Sequence, residues 1–153
     1  MTRLLTLVLS ASLAGNPALA VCDDPAPPRF DGDPGTGVSV SVSVGRIADR
    51  VWEPRLIAGT PVPQGEGMYL FVSFDGKVEG VGGCNRFSGL AEMDAGVLEL
   101  GPLAATEMAC LDPARMEREA AFLQALSEVR FFVVAPGELW LTREDGSVAV
   151  CLE

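Results

Sequence analysis

Residues 112–128 read Asp-Pro-Ala-Arg-Met-Glu-Arg-Glu-Ala-Ala-Phe-Leu-Gln-Ala-Leu-Ser-Glu, and here the period of the apolar residues changes from two to the helical repeat. Asp112-Pro113 is a helix start, with a carboxylate suited to the N-cap and a proline suited to the first turn. Glu117 and Glu119 follow, near the positive end of the helix dipole. Met116, Ala120, Leu123 and Ser127 or Leu126 fall on one stripe, with Phe122 and Ala125 widening it. The spacing predicts a helix to about Glu128 whose apolar stripe faces the core.

On either side of this helix lie short β-prone runs bounded by turn residues. After it come three predicted strands, Val129–Ala135, Glu138–Thr142 and Ser147–Leu152, separated by turns at Pro136-Gly137 and Asp145-Gly146. Phe131, Phe132, Trp140 and Leu141 are read as core or sheet-face residues. Before it come Val51–Ile57, Met68–Phe74, Lys77–Val81, Phe87–Met93 and Val97–Gly101. Asp75-Gly76 marks a tight hairpin, and Met93-Asp94-Ala95-Gly96 a second reversal. Many strands, one helix, then three strands predict an α+β fold. The sheet would be a curved antiparallel meander or small partly open barrel, with one α-helix packed on it before the last three strands.

Residues 1–20 have the composition of a secretory signal peptide. Arg3 and the amino terminus form the basic region, Leu4–Ala14 the apolar core, and Ala18-Leu19-Ala20 the small-residue cleavage site. The apolar run is shorter than the roughly 20 residues of a membrane-spanning helix, and no later segment is long and apolar enough to span. Cleavage before Val21 leaves a periplasmic or secreted protein. Leu19-Ala20-Val21-Cys22 is a competing lipobox-like reading, in which Cys22 would be acylated and the chain held at the membrane by its lipid. Val21 is a poor match for that motif, whose corresponding position carries a small residue. Residues 21–45 form a tether rich in Pro, Gly and Asp, with a Val/Ser alternation at Val38–Val44 that suits either a half-buried strand or more linker. Asp31-Gly32-Asp33 lacks the further acidic ligands of a calcium loop. Residues 46–153 are the expected folded domain.

Among its 153 residues the chain carries 21 acidic against 11 basic ones, a net charge of −10, which argues against a nucleic-acid partner and against a polybasic membrane contact. It contains no histidine, which removes Ser-His-Asp and Cys-His nucleophiles and the commonest zinc ligand. There is no phosphate loop, no dinucleotide fingerprint and no Cys-x-x-Cys pair. Neither a catalytic set, nor a metal site, nor a cofactor is expected. The four cysteines, Cys22, Cys84, Cys110 and Cys151, allow three disulfide connectivities in an oxidising compartment.

Two short motifs remain. Val81-Gly82-Gly83-Cys84-Asn85-Arg86-Phe87-Ser88-Gly89 resembles the Gly-Cys-Asn-Arg-[Phe/Tyr]-x-Gly signature of META domains, and Thr106-Glu107-Met108-Ala109-Cys110 resembles their Thr-x-Met-Ala-Cys signature. Trp52 at the domain start, Glu119 ahead of Phe122 and Leu126, and the Leu139–Gly146 ending match the same frame, so the resemblance covers about residues 46–152. The resemblance implies a β-rich α+β domain of the HslJ-like kind, found in envelope or secreted proteins, often lipoproteins, linked to heat shock, drug resistance and virulence, with no established enzymatic activity.

Read physically, the glycines around Cys84-Asn85 make a tight bend between strands, and Asn85 suits bonding to neighbouring backbone. Arg86 is expected to be exposed or paired, Thr106 to bond backbone, and Met108 to fill core. Gly83, Cys84, Asn85, Arg86, Phe87, Gly89, Thr106, Met108, Ala109 and Cys110 are thus read as fastening the strand-to-helix junction to the sheet rather than as a ligand site. A Cys84–Cys110 disulfide would serve that junction; Cys22–Cys151 is then the remaining pair, unless lipidation of Cys22 leaves Cys151 unpaired. The functional expectation is a non-enzymatic exported envelope module of stress tolerance, acting on an unidentified envelope protein or small molecule. The alternative is an inhibitor of a secreted hydrolase such as a lysozyme or protease.

Overall fold

The computed structural model describes Cys22 and residues 47–94 and 96–153. Their elements are β1 (Arg50–Trp52), β2 (Pro54–Ile57), β3 (Thr60–Pro61), β4 (Tyr69–Val72), β5 (Lys77–Val81), β6 (Arg86–Asp94), β7 (Val97–Leu100), β8 (Ala104–Ala105), α1 (Pro113–Ser127), β9 (Phe131–Ala135), β10 (Glu138–Thr142) and β11 (Val148–Leu152). The eleven strands form one antiparallel sheet in the order β1-β4-β5-β6-β7-β9-β10-β11-β2-β3, with β8 on β6. The expected signal peptide, the Val38–Val44 alternation and the Asp31-Gly32-Asp33 triplet lie outside the described residues.

The sheet curves because its distant strands are consecutive in the chain. β1 pairs with β4, while β2 pairs with β11. Between them Glu53 exchanges two backbone hydrogen bonds with Glu153, of 2.8 and 2.9 Å. Val51–Ile57, read from the sequence as one strand, is therefore two strands, split where the chain changes partner. The end strands do not pair with each other, so the curved sheet stays open.

β6 is longer than its apolar pattern suggests because it serves two partners on one side. Its first half pairs with β8 and its second with β7. β3 and β8 escape a sequence reading because two residues are too few to show a period.

The main core holds Trp52, Leu70, Val72, Val78, Leu98, Leu139, Leu141 and Leu152 with Phe122 and Leu126 of α1. Each fully buried side chain of this kind contributes roughly 1.5–3 kcal/mol from removal of apolar surface. β10 is buried along its whole length. Leu139 and Leu141 face the main core, whereas Trp140 joins a second cluster with Cys22 and Cys151.

The helix begins as read: Asp112 Oδ1 accepts a hydrogen bond from the Ala114 N–H at 2.9 Å, and Pro113 opens the first turn. Its buried face is different. Glu119, Phe122, Ala125 and Leu126 face inward, while Met116, Ala120 and Ser127 are exposed and Leu123 is half-buried. Phe122 sets the rotation. It is the largest apolar side chain of the helix and packs edge-on against Phe87, ring centroids 5.9 Å apart, which turns its i−3, i+3 and i+4 neighbours inward with it. Phe131 is also largely exposed, at 42%, although Phe132, Trp140 and Leu141 are buried as read.

Candidate functional site

The two motifs meet where β5 turns into β6. The Gly82 N–H donates to the Asn85 carbonyl at 2.8 Å, closing a tight bend. Gly83 lies at φ +139°, where L side chains are strained. Gly82 is required for a different reason. A Cβ there would come within 2.6 Å of Glu119 Cγ, so glycine is what lets the bend lie against the helix.

Glu119 holds the bend from the helix side. Its Oε2 accepts from the N–H groups of Cys84 (2.8 Å) and Asn85 (2.6 Å), and its Oε1 accepts from Asn85 Nδ2 at 2.7 Å. Burial, the largest single influence, pushes the Glu119 carboxyl up. The Asn85 backbone and side-chain donors and the Cys84 N–H together outweigh it and hold the group below the ordinary carboxylate range. Asn85 reaches the third segment. Its Oδ1 accepts from the Met108 N–H at 2.6 Å and from Thr106 Oγ1 at 2.8 Å, and its Nδ2 also lies 3.2 Å from the Met108 carbonyl. Thr106 in turn brackets Arg86: its N–H donates to the Arg86 carbonyl at 3.0 Å, and its Oγ1 accepts from the Arg86 N–H at 3.2 Å. The Cys84–Cys110 disulfide, Cα atoms 5.9 Å apart, closes the same junction covalently. Asn85 and Glu119 are both buried, and these partners remove the cost of leaving their polar atoms unsatisfied.

The structure thus brings Gly83, Cys84, Asn85, Thr106, Met108 and Cys110 together, with Phe87 in the core beneath and Ala109 exposed. Met108 is a correction. Its side chain is 61% exposed rather than in the core, because its backbone N–H and C=O are both turned toward Asn85. Glu119 is the residue whose role the sequence reading missed. It sits two turns into α1, not at the helix end, and bonds backbone across the junction. The available signal was a carboxylate three residues before Phe122 and seven before Leu126, on a stripe otherwise apolar.

A second junction lies on the far side of β10. Cys22 forms a disulfide with Cys151, Cα atoms 5.8 Å apart. Glu138, buried, accepts from the Cys22 N–H at 3.2 Å and from Trp140 Nε1 at 2.8 Å. Leu56, Val133 and Val148 pack around this cluster. A sulfur held in a disulfide cannot also carry a thioether-linked lipid.

Beside the first junction, the outer face of β4, β5, β6 and β8 carries an open groove of about 430 Å3, lined by Tyr69, Glu79, Arg86, Ser88 and Ala104–Thr106. The register places Arg86 opposite Val81, and Ser88 opposite Glu79. Among the described residues the other basic side chains are engaged. Arg55, Lys77, Arg115, Arg118 and Arg143 form ion pairs, Arg50 stacks on Trp52, and Arg130 donates to the Val129 carbonyl. Arg86 has no such partner there.

The two motifs that meet here are those that resemble the META signatures, and the META domain profile matches residues 45–153. The chain belongs to the META domain family. No curated protein matches this META domain chain. Two solved structures are similar. A protein from Burkholderia xenovorans determined by NMR is 27% identical, with a TM-score of 0.59 over 73% of this chain and 86% of that one. Another NMR structure is 20% identical, with a TM-score of 0.59 over 72% of this chain and 93% of that one, and shares the fold.

Proposed function

We propose that this META domain is an exported, non-enzymatic module of the bacterial envelope that supports stress tolerance by non-covalent recognition through the groove rimmed by Arg86. The observation that carries the reading is how the polar groups of the two motifs are used. Glu119, Asn85 and Thr106 bond one another and the backbone, leaving no nucleophile beside a base in the junction, while the unpartnered polar groups lie on the open surface next to it. Rigid strands that present exposed polar side chains suit binding. The leading peptide and the two disulfides support an oxidising location outside the cytoplasm, periplasmic or secreted. The disulfide at Cys22 supports a chain free of a lipid on that residue.

The test is survival of a deletion strain under heat and under an envelope-crossing drug, complemented with the wild-type gene or with Ser88→Trp, which fills the groove from an exposed strand position. A sensitive deletion strain whose tolerance is restored by the wild type and not by Ser88→Trp is the expected result. A deletion indistinguishable from its parent under both stresses removes the reading. The acidic, doubly disulfide-bonded β-domain also suits occlusion of a basic hydrolase cleft. That second reading predicts inhibition within a lysozyme and protease panel, and silence at micromolar protein excludes it.

A further inference from the structure

We infer that Met108, Leu111 and Met116, at the entrance to α1, form a docking surface for a short polypeptide segment whose apolar face is rimmed by lysine or arginine. The surface is separate from the groove and does not depend on it. Three large apolar side chains lie open to solvent within one short stretch of chain, Met108 at 61%, Leu111 at 104% and Met116 at 45% exposure. Leu111 precedes the cap residue Asp112, and Met116 lies in the first turns of the helix that Asp112 opens. Apolar side chains at these two positions ordinarily close on each other at a helix entrance. Here they do not, since Leu111 buries none of its surface. Single exposed apolar residues need no explanation, but a contiguous set marks an interaction site, and methionine adapts its shape to a partner.

The surface is fixed before anything binds. The N–H and C=O of Met108 are both turned to Asn85, Cys110 is tied to Cys84, and Asp112 caps α1 through the Ala114 N–H. A segment held in this way loses little conformational freedom on binding. The rim selects the charge of the occupant. Glu107, Asp112 and Glu117 are interspersed with the three apolar residues, are exposed, and form no ion pair among the described residues. Arg115 and Arg118, the bases in this part of α1, are drawn to Glu66 instead, and Arg86 lines the groove. A basic partner is favoured at each acid of the rim and steered by the net charge of −10. A second copy of the chain would set carboxylate against carboxylate, and an anionic bilayer would be repelled. Size selects a segment over a broad surface. Three side chains offer well under the roughly 800 Å2 that each partner contributes to a stable complex, so the occupant is short and its binding transient.

The experiment is an NMR shift titration of the oxidised, exported chain with a peptide of leucine and lysine in an amphipathic helical pattern. A leucine/glutamate peptide of the same pattern, a serine/lysine peptide of the same charge, and phosphatidylglycerol vesicles serve as comparators. The expected result is saturable shifts centred on Met108, Leu111 and Met116 with the leucine/lysine peptide, at an affinity on the order of 100 μM. Leu111→Ser should weaken binding about tenfold while melting like the wild type, because the side chain touches nothing in the folded chain. Glu107→Gln combined with Glu117→Gln should weaken it several-fold at low salt and by less at high salt, where the rim is screened. Equal affinity for the serine/lysine peptide reduces the effect to bulk charge and overturns the inference, as does equal affinity for the leucine/glutamate peptide. Shifts centred on Tyr69, Glu79 and Arg86 move the contact to the groove and overturn it too. Vesicle binding through Leu111, or self-association that Leu111→Ser abolishes, replaces the proposed occupant with a bilayer or a second copy.

Discussion

Glu119 and Glu138 are both buried carboxylates beside a disulfide, and both accept a backbone N–H from a half-cystine, Cys84 in one case and Cys22 in the other. They differ in what they hold together. Glu119 collects three N–H donors from the β5–β6 bend, and through Asn85 it reaches the segment after β8, so three parts of the chain depend on one carboxylate. Glu138 collects two donors, one of them from Trp140 two residues away, and it holds a single distant residue against the outside of β10. The first junction is continuous with the main core through Phe87 and Phe122, whereas Cys22, Trp140 and Cys151 form a separate cluster. A buried carboxylate therefore matters according to how many segments converge on it, not according to its burial alone.

The sharpest way to break this comparison is Asn85→Asp. It places a second carboxylate against Glu119 and removes the donor between them, with an expected cost of about 3–5 kcal/mol at neutral pH. Denaturant titration at two pH values measures it. Because folding lowers the Glu119 pKa below 4.5, its contribution in the wild type is present above about pH 4.5 and is lost as pH falls through the lower folded value. In Asn85→Asp, repulsion raises the affinity of the carboxyl pair for one proton, which restores a donor, so the gap between variant and wild type should narrow as pH falls from neutrality, beginning above pH 4.5. A variant within about 1 kcal/mol of wild type at neutral pH shows that the junction is not coupled as described.

The two disulfides sharpen the comparison further. Loop closure in the unfolded chain, taken alone, ranks Cys22–Cys151 above Cys84–Cys110, at about 5 against about 3.5 kcal/mol, because their sequence separations are 129 and 26. Convergence ranks them the other way. Replacing both Cys84 and Cys110 by serine loosens a bend on which Glu119 and Asn85 depend, with an expected loss of about 3–4 kcal/mol. If native contacts rather than loop closure set the cost, replacing Cys22 and Cys151 frees one residue of the smaller cluster and one hydrogen bond to Glu138, a loss of about 1–2 kcal/mol. Thermal or denaturant unfolding of the two double variants decides between these orders, and a larger loss at Cys22–Cys151 shows that chain entropy dominates.

The smallest effect is expected at Met108. Truncation to alanine should change stability by less than about 0.5 kcal/mol, since only the backbone of this residue is used. A loss of 2 kcal/mol or more, of the size seen for buried methionines, would return Met108 to the core.

Much of the fold is legible in local patterns. β5 and β10 fall on the residues where the β-prone runs and the turns place them, and Asp112-Pro113 opens α1 because an N-cap and a first-turn proline act within four residues. Cys84 and Asn85 could be located from the glycines around them, and Cys110 from its resemblance to the second META signature. Less local features were not legible. Which edge of the wide apolar stripe of α1 turned inward depended on the fit of Phe122 against Phe87, a residue 35 positions earlier in the chain. Met108 has the composition of a core residue, yet Asn85, 23 positions away, claims both its backbone groups.

The sequence by itself determined the helix cap, the turns and most of the strands around one helix, because these rest on forces acting between near neighbours, while the residues of the motif bend were located by their resemblance to the META signatures. Only the tertiary structure decided that Glu119 faces the bend, that Cys22 pairs with Cys151 under Glu138, that β1 and β2 part at Glu53, and that Arg86 and Glu79 share an open groove. These depend on segments brought together from across the chain, whose mutual positions no local period or motif encodes.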